Sequence, residues 1–372
     1  MKMTRCVIPL AASLSITGSM AGGQALSASG RDPTPQPAIP AILAAFDTFQ
    51  IVAIGDYHTD QEIKNFVLAL VRHPRFPLVV NDIVVEGPNG FLQPLLDRYI
   101  AGEDILAAEA QRLWRDGMNP AGLNEFDAQL MQLVRRINRS LPPAKRLRVV
   151  AGEDGIEWPT ATRERHQQYG GHREDHIAAV LETEIVAKHR KALMFYGGAH
   201  VRHGARNPEP GWGVAMEYFE SRHPGLTFVI APYLGGTQQR NSCGQPASVN
   251  GLSVDQRLEA WEVPSLARTK GTWLADFAKA EGSPLRTMMA AQMGRVVDST
   301  VVPADAYLYL GRPELHLASL PSGVQFADTA YLAELWRRQR VIGQGRRDPR
   351  TDPDQVRNRD TSVLVCEPSG KP

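Results

Sequence analysis

The sequence has almost no net charge and very few cysteines, and both shortages exclude classes of protein. Its 41 Lys and Arg residues are balanced by 40 Asp and Glu residues, which leaves a net charge of +1. Without an excess of basic residues there is no net positive charge to attract nucleic acid, so we expect no nucleic-acid partner. The three cysteines, Cys6, Cys243 and Cys366, lack the spacing to histidines that zinc motifs show. We therefore expect no structural zinc site.

Motifs of several common enzyme classes are also missing. The chain contains no Gly-x-Ser-x-Gly nucleophile elbow, and this absence disfavours a serine hydrolase. It contains no His-Glu-x-x-His pair, no Walker loop and no Gly-x-Gly-x-x-Gly after a predicted strand. Zinc-helix peptidases, P-loop nucleotide hydrolases and dinucleotide-binding enzymes are therefore not expected.

The first thirty residues differ in pattern from the rest of the chain. Lys2 and Arg5 precede a run of apolar and small residues at 7–21, and further small residues then offer cleavage sites. This pattern is typical of a secretory signal peptide, and the run is shorter than the roughly 20 apolar residues of a membrane span. We predict a signal peptide over residues 1–28, a periplasmic or secreted protein, and no integral membrane span in the mature chain.

The remaining chain alternates between strand-like and helix-like segments. A stretch rich in Pro, Ser and Gly predicts a linker over residues 29–40. The alternation that follows predicts one α/β domain over residues 41–342, with a mostly parallel central sheet covered by helices on both faces. We expect a helical insertion around residues 238–297, a helical C-terminal extension, and an extended tail over residues 343–372.

Two glycine-histidine turns are the most informative motifs in the chain. Gly-Asp-Tyr-His ends at His58 and Gly-Gly-Ala-His ends at His200, and each turn follows an apolar run that predicts a strand. The carboxyl ends of parallel strands meet at one edge of the sheet, where ligands bind in open α/β folds. We therefore expect both imidazoles to lie at one site.

Carboxylates follow other predicted strands at the same edge. Asp56 belongs to the first turn, and Glu86 and Glu153 each follow an apolar run. A histidine oriented by a carboxylate can act as a general base on water. Alternatively, His58, His200 and carboxylates can hold a divalent metal that activates water. The residue types suit both mechanisms, so both remain open.

Arg173 is a further candidate for the site. The pattern predicts a long amphipathic helix over residues 173–188, and an arginine in the first turn of a helix is unfavourable beside the positive end of the macrodipole. This position indicates a role in binding an anion or in holding Glu86 or Glu153. An ordinary exposed arginine is the alternative.

The order of these motifs resembles one superfamily. Gly-Asp-Tyr-His, Val-Val-Glu-Gly, Arg-Glu-Asp-His-Ile-Ala and Phe-Tyr-Gly-Gly-Ala-His follow one another along roughly residues 45–235. This order is similar to that of the superfamily containing the erythromycin esterases, the ChaN-like haem-binding lipoproteins and the TraB/Tiki proteins, nearest to the esterase-like and ChaN-like branches. The resemblance implies that His58 and His200 are the two motif histidines, Glu86 the strand-end carboxylate and Arg173 the helix-start arginine.

The branches of this superfamily imply different functions. Esterase-like members use histidine and glutamate to activate water without a serine nucleophile, and in this chain Asp56 stands where a glutamate is common. The leading prediction is a hydrolase of ester or amide bonds in a small-molecule or peptide substrate, with His58 or His200 activating water. One alternative is a peptidase that depends on a divalent metal, which is what the resemblance to the Tiki-like members implies. The other is a haem- or ligand-binding protein without catalysis, with Tyr57, Tyr196 and the two histidines, His58 and His200, as candidate haem ligands.

Overall fold

The computed structural model describes most of the predicted α/β domain. The described residues are 36–58, 60–118, 125–204, 213–232, 273–275, 304–310 and 327–343. The predicted signal peptide lies outside these residues, as do all three cysteines and most of the predicted insertion and tail.

The centre of the fold is a sheet with mostly parallel strands. The strands are β1 (Gln36–Pro37), β2 (Ile51–Asp56), β3 (Asp82–Val85), β4 (Arg148–Ala151), β5 (Ala192–Gly197), β6 (Thr227–Pro232), β7 (Trp273–Ala275) and β8 (Ala306–Tyr309). Their order across the sheet is β1-β7-β8-β6-β2-β5-β3-β4. Neighbouring strands from β8 to β4 pair in parallel, whereas β7 pairs antiparallel with β8 and with β1. The predicted mostly parallel sheet is confirmed.

Helices cover both faces of this sheet. They are α1 (Ala38–Ala45), α2 (Gln61–Arg72), α3 (Phe76–Val79), α4 (Gln93–Ala101), α5 (Ala107–Arg115), α6 (Glu125–Arg139), α7 (Arg163–Val180), α8 (Ala215–Arg222) and α9 (Thr329–Val341). Side chains of β2 alternate between the two faces, as the strand period requires. Val52 packs in the cluster that contains residues of α1, α2, α4 and α6, whereas Ala53 packs with residues of α7 and α8. No helix in the described ranges is both long and apolar enough to cross a membrane.

The two glycine-histidine turns end neighbouring strands at the same level. In the parallel β2–β5 pair, Gly55 lies opposite Tyr196 and Asp56 lies opposite Gly197. The residues of β5 are all buried, and so are those of β2 except the last, because both faces of the sheet are covered. The register therefore places both turns side by side at one edge of the sheet.

Helix α7 begins ten residues earlier than the sequence predicts. It starts at Arg163, after Thr162 accepts a hydrogen bond from the Arg165 N–H at 3.3 Å. Its first turns lack apolar periodicity and contain two glycines, so hydrophobic pattern does not reveal them. The predicted start at Arg173 is wrong, and the macrodipole argument for that residue no longer applies because Arg173 lies inside the helix.

The length of α7 carries it past the edge of the sheet. Its 18 residues span about 27 Å, whereas the six residues of β5 span about 20 Å. Only Ile177 and Ala178 of α7 are buried, and both lie in its second half. Since Arg173 in the second half of α7 contacts Glu86 and Glu153 at the strand ends, the first half of the helix extends beyond the carboxyl ends of the strands.

Two predicted segment boundaries also differ from the structure. The linker prediction over residues 29–40 is wrong from residue 36 onwards, since β1 begins there and α1 begins at Ala38, which is buried. Residues 273–275 lie within the predicted helical insertion but form β7. Both β1 and β7 depend on pairing with distant strands, and a local sequence pattern does not show such pairing.

The predicted helical C-terminal extension corresponds to α9. Asp328 caps this helix by accepting the Tyr331 N–H at 3.0 Å. The buried Arg338 donates to the Arg115 carbonyl at 2.8 Å and to Asp116 Oδ1 at 2.6 Å. These bonds anchor the extension to the C-terminal end of α5 and the residue after it.

Candidate active site

The two turns converge on one position beside Gly197. A Cβ atom at Gly197 would lie 2.9 Å from Glu86 Oε2, 3.1 Å from His200 Cδ2 and 3.3 Å from His58 Nε2. The two turns are also joined through the backbone, because the Gly198 N–H donates to the Asp56 carbonyl at 3.0 Å. Side chains that follow three different strands thus surround a space that a glycine leaves open.

His58 is the exposed histidine of this site. Its Nδ1 lies 3.0 Å from Asp56 Oδ2, and its Nε2 lies 4.0 Å from Glu86 Oε2, which is beyond hydrogen-bond distance. Its side chain is 63% exposed, whereas that of Asp56 is 10% exposed. The hydrogen bond to Asp56 raises the pKa of His58, against the opposing effect of burial. Asp56 therefore holds the ring proton on Nδ1, and the Nε2 lone pair of the neutral ring stays available.

His200 is held at both ring nitrogens. Its Nδ1 lies 2.8 Å and 3.0 Å from the two carboxylate oxygens of Glu174, and its Nε2 lies 3.0 Å from Arg173 Nη1. A guanidinium can only donate, so Nε2 accepts and the proton of the ring lies on Nδ1. The His200 side chain is only 15% exposed. Its Nε2 lone pair is thus occupied by Arg173, and the ring helps to orient that guanidinium.

The Arg173 guanidinium connects the carboxylates of the site. Its Nη2 donates to Glu86 Oε1 at 2.8 Å, and its Nε lies 3.0 Å from both oxygens of Glu153. A further bond joins Nη2 to Glu153 Oε1. The Glu153 side chain is 1% exposed and also accepts the Tyr196 hydroxyl at 2.7 Å. These charge-assisted bonds fix one positive charge at the edge of the sheet.

Glu86 stands between the two histidine turns. Its Oε2 accepts the Gly197 N–H at 2.7 Å, and its Oε1 accepts from Arg173. Burial alone would raise the pKa of Glu86, but the positive charges of His58 and His200 when these rings are protonated, the charge of Arg173 and the Gly197 N–H hold that pKa below its usual range. Glu86 is therefore a carboxylate at neutral pH, facing the free side of His58.

The structure brings the predicted site residues into one cluster. These are Asp56, His58, Glu86, Glu153, Arg173 and His200. Sequence reasoning missed Glu174, which accepts from both His200 and the Ala215 N–H at 2.8 Å. Nothing in the local pattern distinguishes Glu174 from an exposed helical glutamate, because its partners come from the turn after β5 and from α8.

Two further ionisable residues near the site were also missed. Lys64 is buried in α2 and donates to the His58 carbonyl at 2.7 Å, and burial lowers the pKa of its amine. Its signal in the sequence is a lysine among the buried apolar residues of what is now seen as α2. Asp127 lies in the first turn of α6, where an acidic residue is ordinary, so the sequence gives no signal for it.

The arrangement of the two histidine rings does not fit a metal ion bound by both of them. A metal on His200 Nε2 would displace Arg173 Nη1 and meet the positive charge of the guanidinium. Among the residues that the structure describes, no three His, Cys, Asp or Glu side chains are arranged to hold a metal ion. Haem ligation by Tyr196 does not fit either, since its hydroxyl is buried and bonded to Glu153.

Comparisons with known proteins give structural neighbours at low sequence identity. No protein-family model matches the chain, and no curated protein matches its sequence. It is similar to a mutant of the erythromycin esterase EreC in its open conformation, with a TM-score of 0.46, 10% identity, and coverage of 76% of this chain and 94% of that chain. It is similar to a succinoglycan biosynthesis protein, with a TM-score of 0.48, 10% identity and coverage of 78% and 96%. A third similar structure is a Bacillus cereus protein, with a TM-score of 0.45, 11% identity and coverage of 77% and 96%.

Proposed function

We propose that the protein hydrolyses an ester or amide bond with a water molecule that His58 activates. The observation that carries this proposal is the free Nε2 of an exposed imidazole whose Nδ1 is held by Asp56. Nε2 removes a proton from water as the water oxygen attacks the carbonyl carbon. Asp56 keeps the productive tautomer and stabilises the imidazolium that forms.

Glu86 is suited to orient the attacking water. A separation of 4.0 Å between Glu86 Oε2 and His58 Nε2 allows one water to hydrogen-bond to both atoms. The water then gives one hydrogen bond to the carboxylate, and its other proton points at the imidazole. Because Glu86 is itself fixed by Arg173 and the Gly197 N–H, this orientation is built into the site before substrate binds.

Arg173 is suited to stabilise the negative charge that develops on the carbonyl oxygen. Its bonds to Glu86, Glu153 and His200 use four of the five N–H groups of a guanidinium. The remaining N–H on Nη1 belongs to a cation already fixed in position, which is what oxyanion stabilisation requires. His200, Glu174 and Glu153 are positioning residues that hold this cation.

A hydrolysis assay with matched histidine variants tests the proposal. The substrates are p-nitrophenyl acetate, an ester, and alanine p-nitroanilide, an amide, each with and without EDTA. We expect hydrolysis of at least one substrate, insensitive to EDTA, and a loss of about 10²- to 10⁴-fold in kcat/KM in His58→Asn. The control is His189→Asn, an exposed histidine before β5 with a φ of 51°, a conformation that asparagine tolerates.

Three results of this assay would change the proposal. No hydrolysis of either substrate by the wild-type protein contradicts the hydrolase function. Full activity in His58→Asn contradicts the assignment of the base. Activity that EDTA abolishes and a divalent metal restores supports the metal-dependent peptidase instead.

Export is a separate proposal, supported by the basic start and apolar run within residues 1–28. Cell fractionation with N-terminal sequencing of the isolated protein tests it. We expect the protein in the periplasm or the medium with a new N-terminus near residue 29. A cytoplasmic protein with an intact first segment would contradict export.

A further inference from the structure

Asp127 is a carboxyl of this region that the mechanism above leaves unused. It lies in the first turn of α6, the helix that leads into β4, so it lies at the same edge of the sheet as the strand ends. A Cβ atom at Gly87 would overlap the Asp127 carboxyl. Gly87 directly follows Glu86, and its lack of a side chain is what lets this carboxyl approach the site.

Charged groups from three elements surround the Asp127 carboxyl. Lys64 comes from α2, Asp56 and His58 from the turn after β2, and Glu86 from the end of β3. Burial raises the pKa of Asp127 to about 7, with Asp56 and Glu86 adding to the increase and Lys64 and His58 opposing it. A large share of this carboxyl is therefore protonated at neutral pH.

The Asp127 side chain can give its proton to a bound molecule. The residue is partly exposed although protein atoms crowd its carboxyl. No hydrogen bond from another described residue reaches this carboxyl, so its proton is not already committed to a protein acceptor. The site thus combines a free base at His58 with a free acid at Asp127.

We propose that Asp127 is a second catalytic residue, the general acid that protonates the leaving group. This inference rests on the proposed hydrolase function and specifies its substrate class. The class is esters and amides whose leaving group is a poor one, an alkoxide or an amine, since such a group needs a proton to depart. With a base and an acid on separate side chains, neither group has to change its protonation role before the leaving group departs.

The proton movements balance over one turnover. His58 Nε2 takes one proton from water while the water oxygen bonds to the carbonyl carbon. When the tetrahedral intermediate collapses, the bond to the leaving oxygen or nitrogen breaks, and that atom takes the proton of Asp127. The imidazolium then releases its proton to solvent and the Asp127 carboxylate takes one from solvent, so the products are an acid and an alcohol or amine.

The test compares two esters with the same acyl group and different leaving groups. p-Nitrophenolate departs from p-nitrophenyl acetate without needing a proton, whereas the alkoxide of ethyl acetate needs one. We expect Asp127→Asn to lower kcat/KM for ethyl acetate by about 10²-fold or more and to change p-nitrophenyl acetate by about threefold or less. With ethyl acetate, the wild-type rate should fall as the pH rises through about 7, and this fall should be absent in Asp127→Asn.

Matched variants separate the acid role from a structural one. Glu125→Gln makes the same change of carboxyl to amide at an exposed position of the same helical turn, and we expect it to leave both esters unchanged. Gly87→Ala should reproduce the selective loss, because its methyl group would displace the Asp127 carboxyl.

The outcomes of this comparison are distinguishable. Equal losses on the two esters in Asp127→Asn would overturn the acid assignment while leaving the base at His58 intact. Failure of the wild-type protein to hydrolyse either ester would remove the hydrolase function, and the general acid with it.

Discussion

His58 and His200 end turns of similar sequence on neighbouring strands, yet one side chain is 63% exposed and the other 15%. His58 has one carboxylate partner and a free Nε2, whereas His200 has Glu174 on one nitrogen and Arg173 on the other. The difference arises because α7 lies against the second turn and supplies both partners. The same local motif therefore provides a reactive base in one place and a support for a cation in the other.

The largest expected effect separates activity from stability at the first turn. His58→Ala should lower kcat/KM by about 10²- to 10⁴-fold, because it removes the base. The free energy of unfolding should fall by only about 0.5–1.5 kcal/mol, the contribution of the one hydrogen bond to Asp56, because the ring itself is mostly exposed. Kinetics together with urea unfolding measure both quantities. A large loss of stability would show that His58 is structural, as His200 is.

A pair of glycine variants tests the point where the two turns meet. Gly197→Ala would bring a methyl group within 3.3 Å of Glu86 Oε2, His200 Cδ2 and His58 Nε2, so we expect about 10²-fold lower kcat/KM from misplaced groups. Gly198→Ala is the matched control, since its nearest contact is an ordinary 3.7 Å. Equal activity in the two variants would mean that the three side chains do not converge in the active protein.

At the second turn we expect a larger effect on stability than at the first. His200→Ala leaves the partly buried side chains of Glu174 and Arg173 without one partner each, and the loss of these two hydrogen bonds costs about 1–3 kcal/mol. Activity should fall by about tenfold, because Arg173 remains held by Glu86 and Glu153. A loss of activity as large as that in His58→Ala would make His200 the base instead.

The smallest expected effect concerns a third histidine, which is held on both nitrogens but outside the site. His203 lies between Glu220 at 2.7 Å and Asp305 at 2.8 Å, and these bonds outweigh burial and raise its pKa to about 9. Since the pKa of the unfolded state is about 6.5, this stabilisation is complete below that pH and is lost as the pH rises through about 9.

His203→Gln should therefore lower the free energy of unfolding at low pH and have little effect at high pH. Urea unfolding between pH 6 and pH 10 (roughly the window set by those two values) measures this, with His189→Asn as the exposed control. Hydrolase activity should be unchanged. A destabilisation that does not depend on pH would show that the ring packs as a neutral group.

The sequence predicts the meeting of the turns because of a general rule of topology. Parallel strands end at one edge, so glycines and polar residues that follow apolar runs are brought together. The roles of His58 and His200 could not be distinguished in this way, since Glu174 and Arg173 reach His200 only through the packing of α7. Asp127 was missed for a related reason: an acidic residue in a first helical turn is common, and only the tertiary structure places it against Gly87.

The helix start was missed for a different physical reason. Residues 163–172 are held by a cap and by continuation of the helix rather than by burial of an apolar face. Hydrophobic periodicity reports burial, so it finds only the half of α7 that packs on the sheet. Prediction from the hydrophobic pattern therefore succeeds for the core and fails for the first half of α7, which extends beyond the strand ends beside the site.

Chemical modification of the two histidines in the folded protein tests the central claim most directly. Diethyl pyrocarbonate acylates accessible, unprotonated imidazole nitrogens, and peptide mass mapping identifies the modified residue over time. The account predicts that His58 is acylated at the rate at which hydrolase activity disappears, while His200 stays unmodified until the protein is unfolded. Equal acylation of His200 and His58 in the folded protein, or full activity after acylation of His58, would contradict it.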